Sequence, residues 1–364
     1  VVFGHMGFLQ HVAVLGALPV GVLGAWRLSR PLGSRRARVV AMVVYAAVPL
    51  PYGALGTGRW EAMVAYAGAP WILHMLACST RIEPFGSGPS STGQVVRRVI
   101  AIAVLAAALS AFVPVEVVLV ALSAAGLVAG SLLAGRVRAS LRAGVMALAG
   151  GVGAVALTVP WTLGLLQPGA NLGALTGPAT SMRVGLGQLL ALRAGGVGVT
   201  PLAWGLVAAA ALPLLIGKGW RLAWATRSWG VAVVCWAVAF LGGRGLLGGT
   251  TLPVGALLAP AAAAMALSAG LGVVAFEQDL PAYRFGWRQG MSLLAAVGVV
   301  VGTFSVLGAA VSGRWGLPSQ GFDQALSWMP AKAAQGDFRV LWLGRAGALP
   351  LGSWSMGSHL AYAT

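Results

Sequence analysis

The sequence predicts an all-α polytopic membrane protein with about ten transmembrane helices, followed by the start of a C-terminal extracytoplasmic α/β or α+β domain. Three observations carry this. Of 364 residues, 58% are hydrophobic and only 9% charged, with a mean hydropathy of +0.86, whereas soluble chains carry roughly a quarter charged residues. The apolar residues fall in runs near the ~20 residues that a helix needs to cross a hydrocarbon core. The basic residues are confined to short clusters between those runs.

Ten such runs lie near residues 5–26, 39–55, 62–78, 99–113, 115–134, 143–165, 201–217, 229–243, 252–276 and 290–312. The stretch from Val99 to Gly135 is too long for one ordinary span. Pro114 and Glu116 are read as a tight turn that divides it into two helices, with one long kinked helix as the alternative. The domain boundaries are accordingly 1–312 for the membrane region and 313–364 for the tail. In the tail, Phe322 to Met329 reads as a helix start and Phe338 to Leu343 as a strand. The chain stops at Ala361-Tyr362-Ala363-Thr364, after a strand-like stretch with no partner strand. The chain opens at Val1 within apolar sequence, without a signal pattern, so an upstream part is expected to be missing and the downstream end to be cut.

Orientation follows from the loops, because basic residues are retained on the cytoplasmic side. One alternate set holds sixteen Lys and Arg, including Arg36, Arg81, Arg98, Arg142, Arg221, Arg227 and Arg288. The other holds Arg59, Arg183, Arg193 and Arg244 between spans, with four more basic residues in the terminal tail. The basic loops are placed in the cytoplasm of a plasma (inner) membrane protein, leaving the tail outside. Trp26, Trp220, Trp224, Trp229 and Trp287 then form an inner aromatic belt, and Trp60, Trp161, Trp204 and Trp315 an outer one. The net charge of +17 is explained by anionic lipids at the cytoplasmic loops, not by nucleic acid, for which no basic face or tail exists. The lipid bilayer is the primary partner. The outer segment Gln167 to Thr200 contains Met182 to Arg193, which reads as a short amphipathic helix at the interface. Phe85 to Gly93 reads as a flexible linker.

Seven acidic residues serve the whole chain, so each is informative. Glu61 in GTGRWE and Glu116 in PVE sit in short outer turns, where a carboxylate would act as base toward a sugar hydroxyl, with Arg59 holding a lipid-linked phosphate. The plainer reading is that Glu61 pairs with Arg59 or caps a helix, and that Glu116 does the same at its own turn. Tyr52 and Trp60 flank this turn beside Pro49-Leu50-Pro51, the best candidate for a substrate-facing rim. His74 is a proton-relay or substrate candidate, or a packing histidine. Glu277-Gln278-Asp279 resembles a metal-holding acid pair in spacing only, and loop charges pairing with Arg284 or Arg288 explain it better. Asp323 and Asp337 read as surface or cap residues. His5 and His11 are spaced i, i+6, which does not bring two imidazoles to one helix face. Cys78 and Cys235 lack CxxC spacing and read as buried small residues. No phosphate loop, dinucleotide fingerprint, HExxH motif or Ser-His-Asp set is present in the sequence.

The stretches Val44 to Leu76, Leu214 to Trp236 (LLIGKGWRLAWATRSWGVAVVCW), Phe276 to Gln289 (FEQDLPAYRFGWRQ) and GDFRVLWLG resemble bacterial polytopic membrane glycosyltransferases. In those large envelope proteins an N-terminal family 2 glycosyltransferase domain precedes a multi-span region and an outer domain. The resemblance implies a role in cell-envelope polysaccharide or glycolipid synthesis, with a polyprenyl-phosphate-linked sugar as donor or acceptor. It implies no cofactor in this fragment and a divalent metal in the missing upstream domain. Glu61 and Glu116 match the outer-loop acids of polyprenyl-phosphate-dependent transferases loosely. A transporter or flippase of lipid-linked saccharide, or a non-catalytic scaffold, is the alternative.

Overall fold

A computed structural model describes residues 6–86, 91–159, 163, 184–244, 246, 253–279, 286–313, 315, 324, 326–344, 354–355 and 361–363. The helices are α1 (Met6–Leu28), α2 (Arg35–Ala47), α3 (Leu50–Gly56), α4 (Trp60–Thr80), α5 (Thr92–Ser110), α6 (Glu116–Leu133), α7 (Val137–Leu157), α8 (Leu186–Leu190), α9 (Thr200–Ile216), α10 (Gly219–Gly243), α11 (Val254–Gln278), α12 (Trp287–Phe304), α13 (Leu307–Ser312) and α14 (Met329–Ala333). Each expected apolar run is helical within the described residues. Seven helices are long and apolar enough to cross a membrane: α2 with α3, α4, α5, α6, α10, α11, and α12 with α13. Leu141–Leu157 and Thr200–Ile216 are shorter. Among the described residues, length and composition therefore give seven candidate spans, and the expected ten are not supported.

The division of Val99 to Gly135 is resolved as two helices, α5 ending at Ser110 and α6 beginning at Glu116. Between α2 and α3 the break is set by proline. Val48 precedes Pro49 and is extended, with φ −62° and ψ 131°, the conformation that a following proline ring enforces.

The helix at the centre is α11. Its sequence, with four consecutive alanines from Ala261 to Ala264, is apolar on every side, and nearly all of it is buried against α2, α4, α9 and α10. A helix apolar all round belongs inside a bundle, and its small side chains let four neighbours approach closely. Glycine does the same elsewhere. Gly126 and Gly130 of α6 lie against the backbone of α10 at Val231 and Arg227, and Gly230 answers from α10. In α4, Tyr66 stacks on Tyr45 of α2 with ring centroids 4.3 Å apart. Each hydroxyl donates to the other residue's carbonyl, at 2.6 and 3.0 Å.

Side-chain contacts join the basic loops at one end of the bundle. The Arg38 guanidinium lies over the Trp26 ring, tying α1 to α2, and Arg36 pairs with Glu277, tying α2 to α11. Asp279, after α11, takes Arg221 of α10. The Trp224 indole of α10 donates to the Glu83 carbonyl between α4 and α5 at 2.7 Å. The opposite end gathers α3, the 193–199 segment and the end of α12. There the Val199 amide donates to the Ser305 carbonyl and Gly53 lies against Gly195.

Several expectations are corrected. Trp224 is fully buried against Phe85, and Trp229 donates to the Ala210 carbonyl and packs on Trp236. These are packing residues rather than members of a lipid belt. Arg227, grouped above with the loop bases, lies within α10 and is fully buried, donating to Ser131 at 3.0 Å and to the Ala223 carbonyl at 2.8 Å. Glu277 and Asp279 pair with Arg36 and Arg221 instead of Arg288, and Asp279 is buried rather than a solvated loop charge. Met182 to Arg193 gives a helix only over Leu186–Leu190 within the described residues. The strand expected over Phe338 to Leu343 forms over Trp342–Gly344 and has partners: β1 (Trp342–Gly344), β2 (Trp354–Ser355) and β3 (Ala361–Ala363) form an antiparallel sheet in the order β1-β3-β2, with Leu343 opposite Tyr362. This small sheet and the five-residue α14 are too little to support the expected α/β or α+β domain. His5, Trp161, Arg183, Arg284 and Asp323 lie outside the described residues.

Candidate functional site

The α3–α4 turn is built by its glycines and a threonine. α3 closes in a Schellman arrangement: the Arg59 amide donates to the Ala54 carbonyl at 2.9 Å and the Gly58 amide to the Leu55 carbonyl at 3.2 Å. Gly58 takes the required left-handed conformation at φ +68°. The Thr57 hydroxyl closes the helix end further by donating to the Gly53 carbonyl at 2.8 Å. The chain then reverses straight into α4, placing Arg59, Trp60 and Glu61 at the tip of the turn.

Trp60 is half exposed (48%). Arg59 and Glu61 are partly buried on either side of it in sequence. Neither forms a salt bridge, so the expected Arg59–Glu61 ion pair is absent among the described residues. Their charges still act on each other: burial lowers the Arg59 guanidinium from its ordinary range, and the Glu61 carboxylate opposes that. Glu61 occupies the first turn of α4, where the helix dipole favours a negative charge. Tyr52 donates to the Ala46 carbonyl at 2.7 Å, and its ring stacks on Trp315 at 4.6 Å. The rim therefore presents a guanidinium, a carboxylate and an indole, beside a stacked aromatic pair.

Glu116 is placed differently from expectation. It opens α6, but it is fully buried, and neither carboxyl oxygen has a hydrogen-bond partner among the described residues. It neither caps its turn nor stands at the surface. Its carboxyl faces Gly68 of α4, where a β-carbon would come within 3.3 Å of Oε1. The missing side chain at Gly68 leaves space taken first by the Leu109 side chain, which lies closer to that point than the carboxyl does. Gly68 follows Glu61 by seven residues, about 10 Å down the helix at 1.5 Å per residue, so the two carboxylates do not share one turn.

His74 does not join the rim. It lies thirteen residues after Glu61 on α4, about 20 Å away along the axis. There Nε2 is 3.7 Å from the Cys78 sulfur, Phe85 meets the ring edge-on, and Nδ1 is buried without a partner. That is a packing environment near the basic end. Of the six candidates, Arg59, Trp60 and Glu61 share the tip of the α3–α4 turn, and Tyr52 lies in the preceding α3 against Trp315. Among the described residues no cluster of three or more His, Cys, Asp or Glu side chains is arranged to hold a metal.

A second feature has no counterpart in the reading of the sequence. Between the end of α4 and the starts of α5 and α7, Ser79, Arg81, Val95, Arg98, Leu141, Arg142, Val145 and Met146 line a cavity of about 290 Å³. Arg81 and Arg98 flank one loop of the sequence and Arg142 follows the next, and the pairing of α5 with α7 beside α4 makes them neighbours.

Among the described residues, six apolar candidate spans and a seventh, the buried alanine-rich α11, with the basic loops joined at one end, fit a multi-pass helical membrane protein. No family model, curated protein or solved structure matches the chain, so the comparisons assign no family.

Proposed function

We propose that this chain is the membrane region of a glycosyltransferase in cell-envelope polysaccharide or glycolipid synthesis, and that the α3–α4 rim receives a lipid-linked sugar. The observation that carries this reading is the rim itself: Arg59 and Glu61, not paired with each other, beside an exposed Trp60. Each group suits one part of such a ligand. A guanidinium offers paired donors to a phosphate, an indole face packs on the apolar side of a sugar ring, and a carboxylate accepts a hydroxyl proton. The segregation of arginines to the opposite end supports a cytoplasmic placement for that end and an extracytoplasmic one for the rim and tail. On this reading the seven candidate spans are joined by α1, α7 and α9 as three further crossings, which makes ten.

The test is sugar transfer by membranes containing the full-length protein, using radiolabelled nucleotide-activated and polyprenyl-phosphate-activated donors. Arg59→Ala is expected to raise KM for a lipid-linked donor, and Glu61→Gln to lower kcat by about 10²-fold or more. Full activity in both variants removes the rim from the reaction. Absence of transfer from either donor class, with labelled lipid still crossing proteoliposomes, identifies a flippase instead.

A further inference from the structure

We propose that the 193–199 segment is a strap that sets the position of the α3–α4 rim, with Arg193 as its clamp and Gly195 as its point of contact. Both are then positioning residues for Arg59. The consequence for sugar transfer rests on the rim reading above; the strap itself rests on the fold alone.

A lone arginine between two spans is ordinarily a solvated charge. Arg193 instead closes its own loop. Its Nε donates to the Gly195 carbonyl at 3.0 Å, one Nη to the Thr200 hydroxyl at 2.9 Å and the other Nη to the Gly196 carbonyl at 3.0 Å. Three bonds from one planar, rigid group hold the segment as a ring between α8 and Thr200, the first residue of α9. Both ends of the ring are anchored. At one end Leu192 is buried while its backbone is left-handed, at φ +53°, a conformation that a leucine keeps only where its surroundings enforce it. At the other, Gly198 lies against Pro49 at φ +92°, and the Val199 amide donates to the Ser305 carbonyl at 3.1 Å.

Between these anchors the backbone of Gly195 meets that of Gly53 in α3. A β-carbon at residue 195 would lie 2.9 Å from the Gly53 α-carbon and 2.9 Å from its carbonyl oxygen. That same carbonyl accepts from the Thr57 hydroxyl at 2.8 Å and from the Thr57 amide at 3.2 Å, the bonds that close α3 two residues before Arg59. The contacts therefore run in series: Arg193 holds the Gly195 carbonyl, Gly195 backs Gly53, Gly53 closes the turn through Thr57, and the turn presents Arg59. Glu61 lies outside this series, because it belongs to α4, which packs on α1 and α11. A shift of the strap thus moves the guanidinium relative to the carboxylate.

Two neighbouring glycines supply the test. Carbon atoms pack at about 3.5–4.0 Å, so Gly195→Ala must push α3 away by roughly 0.6–1.1 Å, whereas Gly196→Ala adds the same carbon where nothing lies within 4 Å. Arg193→Gln releases the clamp without adding bulk, which keeps the test available if Gly195→Ala fails to fold. Hydrogen exchange read by mass spectrometry on the purified chain in detergent follows the turn. The amides of Thr57, Gly58 and Arg59 are expected to exchange about tenfold faster or more in Gly195→Ala and Arg193→Gln, and within about twofold of the parent in Gly196→Ala. Amides of the α6–α10 seam are expected to stay protected in all three. In membranes containing the full-length protein, Gly195→Ala and Arg193→Gln are expected to raise KM for a polyprenyl-phosphate-linked sugar about tenfold or more, with kcat held. A merely destabilised bundle would lose active protein, lowering kcat at unchanged KM. Equal exchange of residues 57–59 in Gly195→Ala and Gly196→Ala overturns the strap, whatever the activity. Transfer with KM unchanged in both strap variants overturns the positioning of Arg59. Absence of transfer by the parent membranes refutes the glycosyltransferase reading alone, and the exchange comparison then decides the strap.

Discussion

Replacing Gly130 by alanine should separate α6 from α10, and the structure gives the size of the effect. A β-carbon at residue 130 would lie 2.5 Å from the Arg227 α-carbon and 2.8 Å from the Thr226 carbonyl oxygen. Both are backbone atoms that cannot rotate away. Carbon atoms pack at about 3.5–4.0 Å, so the helices must part by roughly 1 Å. The Arg227–Ser131 bond, 3.0 Å in length, would then exceed hydrogen-bonding distance. Overpacking costs about 1–3 kcal/mol, loss of a bond to a buried charged group costs about 1.5–3 kcal/mol, and alanine returns about 1 kcal/mol of helix propensity. The net expectation is a loss of about 2–5 kcal/mol. Gly151 of α7 is the matched control, since a β-carbon there meets nothing within 4 Å and should be neutral or stabilising by up to about 1 kcal/mol. Unfolding in mixed micelles, followed by tryptophan fluorescence over an SDS titration, measures both. If Gly130→Ala lies within about 0.5 kcal/mol of Gly151→Ala, the close seam and the argument built on it are wrong.

Asp279→Ala strands the Arg221 guanidinium at a largely buried site and should cost about 3–5 kcal/mol, whereas Glu277→Ala, whose partner Arg36 is 85% exposed, should cost under about 1 kcal/mol; the same SDS titration compares them. Tyr45→Phe and Tyr66→Phe each remove one buried hydroxyl donor and should each cost about 1 kcal/mol, with the double variant departing from additivity because the rings stack on each other. Glu116→Met removes a carboxyl with no hydrogen-bond partner among the described residues and should stabilise the bundle by about 1–3 kcal/mol; a lower unfolding midpoint would show that the carboxyl is held by a partner.

Much of the helical layout was legible because it depends on one-dimensional signals. The Pro114–Glu116 break, the α2–α3 interruption at Pro49 and the segregation of basic loops all come from local chemistry, and all reappear as helix ends or as contacts at one end. The rim was legible for the same reason, since Tyr52, Arg59, Trp60 and Glu61 lie within ten residues. Depth was not legible. Glu116 sits next to a turn in sequence, but whether its carboxyl points outward depends on Gly68 across the α4–α6 contact. Arg227 reads as one more basic residue beside tryptophans, and only the approach of Gly130 and Ser131 shows that it is enclosed. The cavity between α4, α5 and α7 draws its lining from all three helices, and nothing in a single loop cluster records it. The small residues at Gly68, Gly126 and Gly130 were the available signal, because a gap in side-chain volume on one helix marks where a neighbour's polar group or backbone can enter.

The distribution of acids sharpens what the two ends do. At the basic end Glu277 and Asp279 each take an arginine, and these pairs join α11 to α2 and α10, so their role is fully met by holding the bundle together. Glu61 and Glu116 make no ion pair, and both lie on the other side of the chain's alternation, in the first turns of α4 and α6. A first-turn carboxylate gains from the helix dipole, at about 0.3–1 kcal/mol; burying a polar group without a hydrogen bond costs about 1–3 kcal/mol. For Glu61, which is partly exposed, the dipole is sufficient reason to be there. For Glu116 it is not, because the penalty of full burial exceeds the gain. Neither the dipole nor a hydrogen bond among the described residues offsets the burial of Glu116. This makes the combination of a more stable Glu116→Met variant with impaired sugar transfer the outcome that would tie the buried carboxyl to the rim above it.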